Sequence, residues 1–191
     1  ARGAPRPTSG KQLSRKHFPR APRTAAPGTT MAACARASGP GPDDGTRPVT
    51  GHGDKQVTLP ATVTRVAFDQ VPVGSTYLAY FDGSAPNLVG MRPDRVSALR
   101  ETIAARIAPE ILEVDTSYYD NGELNTESLL NLDVDVVFYN AFNDKHGQMF
   151  ETAGIPAVGF TTKGDPTSTY ADWMHLLEDV FHEPGKLPDK I

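Results

Sequence analysis

The sequence predicts an α/β fold in three layers, doubly wound about a mainly parallel sheet. Short apolar runs rich in β-branched residues recur near residues 65, 87, 135 and 156. Each is followed by a helical pattern, and strands that alternate with helices need right-handed crossovers and pair in parallel. These runs are confined to residues 56–191, which are long enough for one core.

The elements follow in order. Val57-Thr58-Leu59-Pro60 is a short extended opening, and Arg65-Val66-Ala67-Phe68-Asp69 reads as a buried strand with a polar end. Pro72 and Gly74 open a short helix through Tyr77, Leu78 and Phe81. Asn87 to Met91 is the next strand, and Pro93 stands at a first helical turn, where its missing N–H costs nothing. Val96, Leu99, Ile103 and Ile107 recur at three- and four-residue steps, predicting one helical face that ends at Pro109. Asn125 caps another short helix, and Asp135-Val136-Val137-Phe138-Tyr139 is the clearest strand. Asn143 caps the following helix and Gly154 ends it. Ile155 to Phe160 is a strand, and the last helix carries Tyr170, Trp173, Leu177, Val180 and Phe181 on one side.

Composition sets the limits. The 191 residues carry a formal charge of −4, unevenly spread. Residues 1–55 hold ten Lys+Arg against three Asp and eight of the seventeen prolines. That stretch predicts a disordered tail, because it cannot bury enough surface to offset the entropy of ordering. Residues 56–191 hold nine Lys+Arg against twenty Asp+Glu, a balance that argues against a nucleic-acid surface. No run of 18 apolar residues is present to span a membrane as a helix. The lone cysteine, Cys34, excludes a disulfide framework and a Cys-rich zinc site.

Ligands of such a sheet gather at the carboxyl ends of its strands. That rule selects three loops: Asp69 to Pro72, Met91 to Arg92, and Asn140 to Asn143. No glycine-rich phosphate loop or G-x-S-x-G elbow stands between a strand and a helix. Nucleophile, base and oxyanion donors do not assemble, so the expectation is a protein that is not an enzyme. His175 and His182 flank the last helix and read as structural, and His146, near the expected cleft, is read the same way ahead of a ligand role. Tyr118 and Tyr119, in a loop rich in Gly, Asp and Asn, are either packed on the sheet edge or displayed to a ligand.

The tail carries two motif resemblances. Ser14-Arg15-Lys16-His17-Phe18 resembles a twin-arginine export motif with lysine in the second place, and Met31-Ala32-Ala33-Cys34 resembles a bacterial lipobox. Between them Pro19, Arg20, Pro22, Arg23 and Pro27 replace the usual apolar core. The pattern implies export, with Cys34 as the lipidation site and a lipid anchor on the outer face of the cytoplasmic membrane, or a periplasmic location.

Four segments also resemble, in the same order, the substrate-binding proteins of iron–siderophore, haem and cobalamin ABC importers. They are Val57-Thr58-Leu59-Pro60 with Arg65-Val66-Ala67; Asn87-Leu88-Val89-Gly90-Met91; Leu124 to Val137; and Gly154-Ile155-Pro156-Ala157-Val158. The resemblance implies a single lobe of a two-lobed binding protein. Residues 1–55 are then a degenerate signal and linker, residues 56–185 the N-terminal lobe, and residues 186–191 the start of an interlobe helix cut short after Glu183-Pro184-Gly185-Lys186.

What the resemblance implies at the site follows residue by residue. Asp69, Gln70, Met91, Arg92, Asn140 and Asn143 stand at the cleft, with Arg92 placed to pair with an anionic complex. Phe142 aligns with an aromatic that packs on siderophores, and Tyr118 and Tyr119 lie near the loop where haem-binding members place an axial tyrosine. Glu127 matches an acidic position that docks into arginine pockets of the permease. The implied cargo is a ferric siderophore or related iron complex, with haem or cobalamin as alternatives. The implied partners are an ABC permease and its ATPase, with no cofactor and no metal site of the chain's own. A small α/β enzyme domain and a non-functional remnant are the rival readings.

Overall fold

A computed structural model describes residues 45–183 and 186–187 of the chain. The motifs at residues 14–18 and 31–34, with Cys34 among them, lie outside these residues, as does most of the expected interlobe segment 186–191. Lys186 and Leu187 are bends; Lys186 Nζ stands 4.6 Å over the rings of Tyr80 and Phe81, and Leu187 is buried in the core.

The central sheet contains strands β3 (Val66–Phe68), β4 (Leu88–Met91), β7 (Val136–Asn140) and β8 (Ala157–Phe160) in the order β4-β3-β7-β8, all parallel. The expected mainly parallel, doubly wound sheet is present. Alternation along each strand divides its side chains between two cores. Phe68, Phe138, Val158 and Phe160 point into one, with helices α1 (Gly74–Tyr80) and α6 (Pro166–Phe181) over them. Ala67, Val137 and Tyr139 point into the other, beneath α4 (Thr126–Asn131) and α5 (Asp144–Ala153). The caps are those the sequence predicts: Asn125 Oδ1 accepts from Ser128 N, Asn143 Oδ1 accepts from His146 N, and Gly154 takes a left-handed φ of 70°.

The tail is shorter than expected. Residues 46–50, which composition assigns to the disordered segment, form strand β1 (Thr46–Thr50), antiparallel to β2 (Gln56–Pro60). The tail's bias toward Pro, Gly and Arg hides one short strand whose Val49 is buried with Leu59 of β2. The hairpin is held at both ends. Arg47 donates to the carbonyls of Asp179 (2.6 Å) and Val180 in the last turn of α6, and His52 N donates to Gly159 O at 2.8 Å. Gly51 permits that approach, since a Cβ there would lie 2.8 Å from Gly159 N. Gly51→Ala is expected to destabilise the protein by about 2 kcal/mol through this backbone overlap. Urea unfolding checks it, and an unchanged midpoint would mean the hairpin is free to shift.

Two helical expectations need correction. Val96 to Ile107 is not one helix but α2 (Pro93–Leu99) and α3 (Ala104–Ile107), followed by a 3-10 turn, Pro109–Leu112. Thr102 turns both its N–H (2.9 Å) and its hydroxyl (2.8 Å) onto Leu99 O, and this local bonding competes with continued helix. Ile103 and Ile107 consequently stand 62% and 53% exposed, on the mouth of an apolar groove of about 280 Å³ beside Leu78, Leu99 and Ile111. On α6 the buried stripe is Met174, Leu176, Leu177 and Val180, whereas Tyr170 faces outward.

The remaining strands are the two-residue pair β5 (Tyr119–Asp120) and β6 (Glu123–Leu124). Strand order reverses between β3 and β7, so the carboxyl ends of those two strands form the topological switch point.

Candidate functional site

Asp69 directly follows β3 at that switch point, and its backbone N–H bonds Phe138 O of β7 at 2.9 Å. Its carboxylate is fully buried and accepts two side-chain hydrogen bonds, from Tyr119 Oη and from His146 Nδ1 at 2.8 Å. Tyr118, also fully buried, donates from its hydroxyl to Phe68 O at 2.6 Å. Gly90 makes room for that ring, since a Cβ there would meet Tyr118 Cε1 at 2.9 Å. Burial pushes both phenols up and the Asp69 charge pushes them further, so each remains a donor at physiological pH.

The rim above this buried group is polar and aromatic. Gln70 and Asn143 meet across the switch point, with Asn143 Nδ2 3.4 Å from Gln70 Oε1. Asn140 Oδ1 accepts from Phe142 N (3.0 Å) and Thr162 Oγ1 (3.2 Å), tying the loop after β7 to the loop after β8. Phe142 is 46% exposed, and Lys163 Nζ sits 3.7 Å from the centre of its ring. At the other end of the sheet the Arg92 guanidinium lies 4.9 Å over the Tyr119 ring. Behind the rim, the indole N–H of Trp173 donates to Thr161 O at 2.7 Å.

The sequence-selected residues therefore divide. Gln70, Arg92, Asn140, Phe142 and Asn143 lie together along the carboxyl edge. Met91 does not join them: it is 4% exposed, its side chain drawn into the core. Asp69 and Tyr118 are likewise buried beneath the rim, and Tyr118 is packed, not displayed. Arg92 is not a free cation, because it forms a two-point pair with Asp94 at 2.9 and 3.2 Å. Glu127 is exposed in the first turn of α4, where it also favours the helix dipole.

Thr161, Thr162 and Lys163 were missed, although the rule that selected the other three loops applies equally to the end of β8. The sequence favours a structural role for His146, and only its contact with Asp69, 77 positions away, draws attention to it.

No family model matches the chain, and no curated protein matches it. Solved structures do. A periplasmic solute-binding protein from Veillonella parvula superposes with a TM-score of 0.66 at 24% identity, over 75% of this chain and 43% of that one. This chain has the fold of one periplasmic-binding-protein lobe. The molybdate periplasmic binding protein MolA of Haemophilus influenzae gives a TM-score of 0.60 at 22% identity, over 75% of this chain and 48% of that one. The haem-binding protein HmuT gives 0.53 at 18%, over 74% and 42%. The lobe thus spans less than half the length of each of these proteins. These neighbours are described as solute-binding proteins.

Proposed function

We propose that this chain is the solute-capturing lobe of an exported binding protein that serves an ABC permease and its ATPase, and that its cargo is a ferric siderophore or related iron complex. One observation carries the choice of cargo: two cation–aromatic pairs, Lys163 on Phe142 and Arg92 on Tyr119, at opposite ends of the sheet's carboxyl edge. Three strand spacings of about 4.8 Å separate them by roughly 14 Å. An anionic complex that carries flat aryl or hydroxamate arms can rest its charge on Lys163 and its arms on Phe142, with Gln70, Asn140 and Asn143 offering amides beside them. The ordered resemblance to the substrate-binding proteins of iron–siderophore, haem and cobalamin importers supports a chelated-metal cargo. Haem is less well supported, because the hydroxyls of Tyr118 and Tyr119 both donate inward, away from any iron at the rim. Glu127 serves as the permease contact in this reading, and Cys34 as the lipid anchor.

Calorimetric titration of the full chain with a ferric tris-catecholate tests this. The iron-loaded complex is expected to bind and the iron-free chelator not to. Lys163→Ala is expected to weaken binding about threefold, as befits an exposed cation–aromatic contact, and the difference is expected to shrink in 0.5 M salt. Equal binding of the iron-free chelator, or molybdate binding in place of every iron complex, would overturn the choice of cargo.

A further inference from the structure

A second concavity lies on the flank of the sheet, away from the rim. It holds about 490 Å³ and shares none of the rim's residues. Strand β2 forms one wall, and α5 with the start of β8 forms the other. Val57, Phe150, Ile155 and Pro156 give it an apolar lining. Tyr139 lines it too, only 4% exposed, with its ring edge-on to Phe150 at 5.6 Å. Its hydroxyl makes no hydrogen bond among the described residues, which is unusual for so buried a side chain, and it opens onto the cavity. Gly147, inside α5, leaves the space the phenol occupies: a Cβ there would lie 3.2 Å from Tyr139 Oη. Glycine is disfavoured in a helix interior, and this one keeps the hydroxyl clear. Burial holds the phenol above its usual pKa against the opposing pull of Lys55, so it stays a donor.

Charges of both signs stand at the same cavity. Glu151 is one turn beyond Gly147 on α5, and Lys55 stands in the hairpin turn ahead of β2. Lys55 Nζ and Glu151 Oε2 are 3.7 Å apart, too far for a hydrogen bond, on side chains that are largely exposed. So loose a pair contributes little to stability and can part to admit a ligand's own charges. The two charges lie about as close as those of an α-amino acid head group, and too close to serve both ends of a peptide.

We propose that this flank concavity binds a free α-amino acid with an apolar side chain. Its carboxylate accepts from Tyr139 Oη and Lys55 Nζ, and its ammonium pairs with Glu151. Its side chain rests against Phe150, Ile155 and Pro156. A ligand with both charges replaces both halves of the ion pair it separates, whereas a ligand with one leaves a charge unpartnered.

Titration of the full chain with L-leucine, observed by NMR of ring-labelled tyrosine, tests this. The Tyr139 signal is the one missing from Tyr139→Phe, and it is expected to move saturably with leucine. 4-Methylpentanoate, which lacks the ammonium, and leucinamide, which lacks the carboxylate, are each expected to bind about tenfold more weakly. Tyr139→Phe removes only an unbonded hydroxyl and Lys55→Ala only an exposed side chain, so both variants are expected to melt with the wild type. Each is expected to weaken leucine binding about fivefold in calorimetry. No saturable movement of the Tyr139 signal overturns the site. Leucine affinity unchanged in both variants overturns its placement on Tyr139 and Lys55. Binding of 4-methylpentanoate as tight as that of leucine overturns the amino acid as ligand. None of these outcomes touches the cargo reading, because no rim residue takes part.

Discussion

Replacing Phe138 with alanine is expected to lower the unfolding free energy by about 4 kcal/mol. Its ring is fully buried at the centre of β7. It stacks on Phe68 at 5.6 Å and meets Phe160 at 4.8 Å, Tyr77 at 6.4 Å and Phe181 at 6.4 Å, so it joins three strands to both helices above them. The surrounding rings belong to four different elements and cannot all close on the void. A melting temperature reduced by about 12 °C in calorimetry would agree with this figure. A drop of only 2–3 °C would show that the aromatic layer repacks, in the manner of a looser core.

Asp69→Ala is expected to cost about 3 kcal/mol, which is unusual for the loss of so small a side chain. The removed atoms contribute little burial; the penalty arises because Tyr119 Oη and His146 Nδ1 both lose their acceptor in a place water does not reach. Urea unfolding of Asp69→Ala beside the double variant Asp69→Ala/Tyr119→Phe separates the two contributions. The second substitution removes one stranded donor and is expected to restore about 1 kcal/mol. A double variant no more stable than the single one would show that the Tyr119 hydroxyl finds another partner.

Much of the sheet was legible because its strands are short, apolar and bounded by Pro, Gly and Asn, as at Asp135 to Tyr139 before the Asn143 cap. The misread elements have different causes: a local side-chain bond in one, contacts distant in sequence in the other. Val96 to Ile107 has helical spacing throughout, yet the bonds that Thr102 turns onto Leu99 O end the first helix and leave Ile103 and Ile107 on the surface. Strand β1 lies in a segment whose composition resembles a tail, and it is ordered by its pairing with β2 and by Arg47 reaching the end of α6. At the site, the switch-point rule located the right loops, but spacing alone cannot say which side chains turn inward. Asp69 and Tyr118 look as available in the sequence as Gln70 and Phe142 do. Only Gly90 gives a trace of the difference, since the missing side chain there is what lets the edge of the Tyr118 ring come close to the sheet.

The indole bond from Trp173 to Thr161 has a practical consequence. The chain contains a single tryptophan, and its N–H is tied to the carbonyl at the end of β8, one residue from Thr162 and two from Lys163. The ultraviolet emission of the whole protein is therefore a one-site optical signal from the rim of the sheet. A solute that settles over Phe142 and draws on Lys163 must disturb the loop that holds this indole. Its arrival is readable as a change in colour and lifetime without any attached dye.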